Sequence, residues 1–105
     1  MKYDTEPDIQ IDDVDGYVTV MYEDNWWLGY VLDKNFNSGE VTVKFLHPHG
    51  PSPSFTFPPQ EDMLLVSLID ILTTVNASTV NGRTYTISKS EEKHVSELLV
   101  LKYYK

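Results

Sequence analysis

Cysteine is missing from all 105 residues, which excludes disulfides, zinc–thiolate sites, iron–sulfur clusters and a thiol nucleophile, since each needs sulfur. Basic residues are few: 8 Lys+Arg stand against 16 Asp+Glu, a formal charge of -8. Nonspecific binding to DNA or RNA draws on a surplus of Lys and Arg, so the balance points instead to basic partners. Long hydrophobic runs are absent too. The most apolar stretch, residues 63–75, is interrupted by Ser67 and Asp70 and falls short of the roughly 20 residues a membrane-spanning helix needs. No membrane segment is expected. The start, Met1-Lys2-Tyr3-Asp4-Thr5-Glu6, has no basic region followed by an apolar run, so no secretory signal is expected and an intracellular location is.

What is present fits one small domain, since a chain of this length buries roughly two-thirds of its unfolded surface and needs no covalent staples. The charge is unevenly placed. Residues 1–24 carry 8 acids against Lys2 alone, whereas residues 25–105 carry 8 acids and 7 bases. Residues 1–16 therefore read as a solvated acidic arm, with Ile9, Ile11 and Val14 as its points of contact with the domain.

From Tyr17 the apolar residues alternate, with Val18, Val20 and Tyr22 on one side, and this predicts a first strand. Asp24-Asn25 supplies a turn, and Trp26 to Leu32 reads as a second strand whose central Gly29 marks a bulge or a close backbone approach. Lys34 to Gly39 reads as a hairpin connection. Val41, Val43 and Phe45 alternate with Thr42 and Lys44 in a third strand over Glu40 to Leu46. Five of the six prolines lie between His47 and Pro59, so that segment is expected to be a loop that tucks Phe55 and Phe57 under cover. Met63 to Val66 predicts a strand, Ser67 to Asp70 a 3₁₀ turn, and Ile71 to Val75 a closing strand. Asn81-Gly82 is a turn dipeptide before a short β-rich stretch, Arg83 to Ile87. Ser88 and Glu91 have capping-box spacing ahead of a helix with Val95, Leu98, Leu99 and Lys102 at helical intervals. The resulting partition is an arm (1–16), a barrel (17–75), and a β-turn, strand and helix extension (76–105).

Short bent strands with a glycine in the second and a 3₁₀ turn before the last describe a mainly β protein, a small five-stranded barrel with a C-terminal helix. The runs Tyr22-Glu23-Asp24-Asn25-Trp26-Trp27-Leu28-Gly29-Tyr30-Val31, Gly39 to Phe45 and Val66 to Leu72 resemble a Tudor domain of the Src-homology-3-like barrel class, over about 55 residues. The resemblance implies a noncatalytic module that binds methylated lysine or arginine in an aromatic cage, acting in the nucleus rather than the cytoplasm. It places the cage at Tyr22, Trp27 and Phe45, with Glu23 and Asp24 supplying negative charge. Where Tudor domains carry an Asp-Tyr-Gly-type turn, this chain reads Phe45-Leu46-His47-Pro48-His49-Gly50, so His47 or His49 would stand in for the missing wall. Faces of aromatic rings attract a methylated cation by roughly 0.5–2 kcal/mol per contact. Alternation lets only one of Trp26 and Trp27 point inward, and the other is expected to form a partner surface with Tyr22, Phe55 and Phe57.

Other readings of the same residues are weaker in chemistry. His47-x-His49 could share a metal if Glu61 or Asp62 folded back, but Pro48 and Gly50 make a structural turn the simpler account, and no metal or other cofactor is expected. No nucleophile elbow, phosphate-cradling glycine loop or carboxylate pair is discernible, so no catalytic residues and no enzyme are expected. The segments Phe45 to Phe55 and Gly82 to Ser88 also resemble a small domain attached to transposon-derived and integrase-like proteins. That implies an accessory barrel touching protein, or DNA through Lys34, Lys44 and Arg83. A third reading makes Pro51 and Pro53 part of an exposed extended segment that is itself a ligand.

Overall fold

The computed structural model describes residues 9–51 and 53–103. After a 3₁₀ turn at Ile11–Asp13 come β1 (Tyr17–Tyr22), β2 (Asn25–Asn35), β3 (Glu40–Phe45), β4 (His47–Pro48), β5 (Ser54–Thr56) and β6 (Met63–Ser67). A second 3₁₀ turn, Leu68–Asp70, leads to β7 (Ile71–Val75), β8 (Ser78–Thr79), β9 (Thr84–Thr86) and the helix α1 (Lys89–Tyr103). The protein is thus mainly β with one C-terminal helix.

Five strands form an antiparallel sheet in the order β6-β3-β2-β1-β7. Its two edges are consecutive in sequence, joined by the 3₁₀ turn, whose N-cap Ser67 accepts a hydrogen bond from the Ile69 N–H at 3.4 Å. No ladder joins β6 to β7 among the described residues, so backbone pairing does not close the sheet into a barrel. A second sheet, β4-β5-β9-β8, is built of strands two or three residues long.

Alternation along β1 and β2 sends side chains to both faces of the large sheet, and each face is a core. One face gathers Val14, Val18, Val20, Val41, Val43, Phe45 and Ile71, with Trp27 and Val31 packed against them. The other gathers Leu28, Leu46, Phe55, Leu72, Val75, Ile87 and Val95, with Trp26 and Met21 at its margin. Burial on both sides explains why Thr19 is sealed inside β1; its hydroxyl donates to the Thr73 carbonyl at 3.3 Å. Gly29 lies between Trp27 and Val31 on the first face, and a Cβ there would collide with Val43 Cγ1. The glycine marks a close approach of β3. The irregularities of register fall elsewhere, between Val31 and Asp33 and between Thr19 and Val20.

Helix α1 begins as its sequence predicts. Ser88 Oγ accepts from the Glu91 N–H at 3.0 Å, while Glu91 Oε1 accepts from the Ser88 N–H at 3.4 Å. Glu91 Oε2 also accepts from the Asn76 N–H at 2.7 Å, tying the helix start to the end of β7.

Two expectations need correction. The proline-rich segment is not all loop, since β4 and β5 lie within it. β5 takes its ladder from β9, and β4 is the outer strand of its sheet, where the missing N–H of Pro48 leaves no bond unmade. Nor are residues 9–16 solvated throughout. Val14 is fully buried, the Val31 N–H donates to the Gly16 carbonyl at 2.9 Å, and Lys34 Nζ reaches both the Ile11 carbonyl (3.2 Å) and Asp15 (3.1 Å). Residues 1–8 of the expected arm lie outside the described residues. In the second core, Ile87 and Val95 pack with Leu28, Leu72 and Val75.

Candidate functional site

The first core opens at one end into a groove of about 720 Å³. Three strand ends place its rings. Tyr22 ends β1 and is 57% exposed, Trp27 stands on β2 opposite Val20, and Phe45 ends β3 at 6% exposed, forming floor rather than wall. β4 contributes His47, whose ring lies edge-on to Trp27 with centroids 6.4 Å apart. Four of the residues singled out from sequence, Tyr22, Trp27, Phe45 and His47, therefore line one groove.

Glu23, Asp24 and His49 do not line it. Glu23 and Asp24 are exposed in the β1–β2 turn beside Tyr22, and Glu23 adopts a left-handed backbone (φ 58°) that a side chain disfavours. His49 is exposed, and its N–H donates to the Ser54 carbonyl at 2.9 Å, closing the turn between β4 and β5. Pro51 therefore lies in a bend and Pro53 in a turn, not in an extended segment.

The expected partner surface of Tyr22 with Phe55 and Phe57 is not formed. Trp26 points to the second core, where it packs on Phe55 with centroids 5.8 Å apart, and Phe55 is only 7% exposed. Phe57 lies against Tyr85 (5.5 Å), with Lys44 Nζ 4.9 Å from its ring. Tyr22 stands on the other face, with Trp27. The reason is pairing: β5 joins β9 and so carries its aromatics under the sheet on the helix side.

The acidic character of the groove comes from Asp62 and Asp70, for which the sequence offers no local signal. Asp62 Oδ2 sits 2.7 Å from His47 Nε2, and both side chains are more than two-fifths exposed, so the pair orients the imidazole more than it stabilises the fold. Among the described residues no lysine or arginine lines the groove. Its remaining wall is β6, through Leu64, Leu65 and Val66, with Leu64 50% and Leu65 60% exposed. One signal for this wall is in the sequence: Met63-Leu64-Leu65 puts three apolar residues in a row on a short strand, which one-sided burial cannot absorb. The indole N–H of Trp27 is buried with no acceptor among the described residues.

Compared with protein families, curated proteins and solved structures, the chain matches none. Its chemistry is read from its own side chains. Among the described residues no group of three or more His, Asp or Glu side chains is placed to hold a metal ion, and no helix is long and apolar enough to cross a membrane. Of the bases named for DNA contact, Lys34 is bonded to Asp15 and Lys44 is paired with Glu61 at 3.5 Å, whereas Arg83 is exposed just ahead of β9.

Proposed function

We propose that this chain is a noncatalytic, Tudor-like binding module that takes a cationic side chain of a partner protein, lysine or arginine and preferably methylated, into the groove beside Trp27. One observation carries the reading: Tyr22, Trp27, Phe45 and His47, from four different strands, line a single groove that Asp62, paired with the imidazole, and Asp70 also line. A methylated cation keeps its charge but sheds hydration, so it gains from ring faces and nearby carboxylates together, by roughly 0.5–2 kcal/mol for each ring contact. The strand order β6-β3-β2-β1-β7, with a 3₁₀ turn between the two edges, supports a Src-homology-3-like barrel architecture. A reader of modified basic tails would act in the nucleus.

The test is a titration of isotopically labelled protein with peptides carrying unmodified, mono-, di- or trimethylated lysine, or methylated arginine. The expected result is a set of amide shifts centred on Tyr22, Trp27 and Phe45 that grows with methylation. If those amides stay still with every peptide, the proposal is lost.

A further inference from the structure

Among the described residues, β6 is an edge strand with a free side. The Phe45 N–H donates to the Asp62 carbonyl at 2.7 Å and the Leu68 N–H to the Gly39 carbonyl at 2.9 Å. These two bonds bracket the ladder that runs from Lys44↔Met63 to Glu40↔Ser67. In an antiparallel pair, residues bonded to the neighbour alternate with residues whose N–H and C=O point away. With Asp62 and Leu68 bonded inward, Leu64 and Val66 are bonded inward too. Met63, Leu65 and Ser67 therefore turn their backbone groups to the open side, where no strand meets them among the described residues.

Exposed edges are normally blunted by lysine, proline or a bulge. β6 has none of these: its sequence is Met-Leu-Leu-Val-Ser, its register against β3 is regular, and Met63, Leu64 and Leu65 are 47%, 50% and 60% exposed. The opposite edge, β7, is apolar as well, but α1 packs against it. An unprotected apolar edge that also forms one wall of an acidic aromatic groove is suited to a guest strand.

We infer that the partner binds as an extended segment that adds a strand to the outer edge of β6, so that one basic side chain enters the groove while its backbone bonds to Met63, Leu65 and Ser67. This rests on the groove being the cation site and adds how the partner's main chain lies. The occupant is a basic, extended peptide rather than a second copy of this chain, because Asp62 and Asp70 border the groove, Glu23 and Asp24 lie beside it, and a chain of charge -8 repels itself. Side chains of an added strand alternate, so residues two positions to either side of the lysine or arginine share its face. Those positions should be apolar or β-branched, to pack on Leu64 and Val66.

The experiment titrates the labelled full chain with a twelve-residue peptide holding a central trimethyllysine flanked by valines two residues away, and follows amide shifts and hydrogen exchange. Three companions are run: the same peptide with backbone N-methyl groups on alternate residues in each of the two registers, and one with norleucine for the trimethyllysine. Strand addition predicts slowed exchange at Met63, Leu65 and Ser67, and about tenfold weaker binding when one N-methyl register, but not the other, removes two of the guest's bonds. Leu65→Pro, which removes one outward N–H, should weaken the parent peptide while leaving the far core's shifts unchanged. Shifts at Trp27 and Tyr22 without protection on β6, and equal affinity for both N-methyl registers, overturn strand addition and keep the cation reading. Equal binding of the norleucine peptide with β6 protected overturns the cation reading and, with it, the basic occupant proposed here. Protection of β6 in the free protein that grows with concentration, alongside a doubled mass, assigns the edge to self-association and overturns the inference.

Discussion

Replacing Gly29 with alanine tests how closely β3 must approach β2 to build both the first core and the groove. The added methyl would overlap Val43 Cγ1 and come within 3.4 Å of the Lys44 carbonyl oxygen and Phe45 Cδ1. Val43 is fully buried and β-branched, so it has no open rotamer to retreat into. Overpacking of this kind costs about 1–3 kcal/mol, partly offset by the ~0.5–1 kcal/mol that alanine gains over glycine in a strand. The net loss, about 0.5–2 kcal/mol, corresponds to a fall in melting temperature of roughly 3–10 °C for a domain of this size. Val43→Ala alone should cost about 2–3 kcal/mol through lost burial and a residual cavity. In the double variant the methyl added at position 29 enters the space Val43 vacates, so the two losses should fall short of their sum by at least ~1 kcal/mol. Urea unfolding of the four proteins measures this coupling. Strict additivity would refute the claim that Val43 is what Gly29 makes room for. Because the same methyl presses on Phe45, Gly29→Ala should also weaken peptide binding, and Val43→Ala in the same chain should restore part of it.

Three further substitutions probe other elements. Val14→Ala should destabilise the fold by about 1.5–3 kcal/mol, since it strips two methyl groups from a fully buried site; an unchanged urea midpoint would return residues 9–16 to the status of a solvated arm. Tyr17 has its pKa raised above its ordinary value near 10, by burial first, then by Tyr85 through charge and a hydrogen bond, and by Tyr30. Folded protein thus holds this proton more tightly than unfolded protein. The associated stability is full below about pH 10 and is lost as pH rises through the folded value, so Tyr17→Phe should flatten the alkaline fall in stability, and an unaltered slope in alkaline melts would contradict it. Glu23→Gly relieves a left-handed backbone, worth about 1–2 kcal/mol, against ~0.5–1 kcal/mol of glycine entropy. The variant should melt slightly higher yet bind basic peptides less well at low salt; a lower melting temperature would mean that the turn carries no strain.

Local pattern made much of this fold legible. β3 follows from period-two burial, β1 and β7 from short runs of apolar and β-branched residues, the 3₁₀ turn from Ser67 to Asp70 from its short polar interruption, and the helix start from Ser88 and Glu91. Gly29 is readable because a glycine amid Trp, Leu, Tyr and Val has to answer to a neighbour's proximity. The side each ring takes is not readable in this way. Alternation states that Trp26 and Trp27 oppose one another, but which core each joins depends on β5 pairing with β9, about thirty residues later in the chain. The same long-range pairing gives Phe55 a ladder inside a proline-rich segment that local rules assign to loop. Val14 is legible as a contact of the acidic segment but not as a fully buried one: amid Asp12, Asp13 and Asp15 a single valine leaves no periodicity, yet one buried side chain is enough to dock the segment. Of the groove, the strand-end aromatics are legible and the apolar run Met63-Leu64-Leu65 hints at the β6 wall, whereas Asp62 and Asp70 arrive only with the topology.

The adjacent tryptophans on opposite faces of β2 give the protein two built-in optical reporters. With Trp26 replaced by phenylalanine, emission comes from Trp27 alone and follows the groove; with Trp27 replaced, it comes from Trp26 and follows the helix-side core. Because both indoles hang from neighbouring residues of one strand, any difference between their unfolding curves separates the melting of the two faces of a single sheet. Coincident curves would mean that α1 and the second sheet leave only when the strands themselves come apart, making the peptide-facing side and the helix-facing side one cooperative unit.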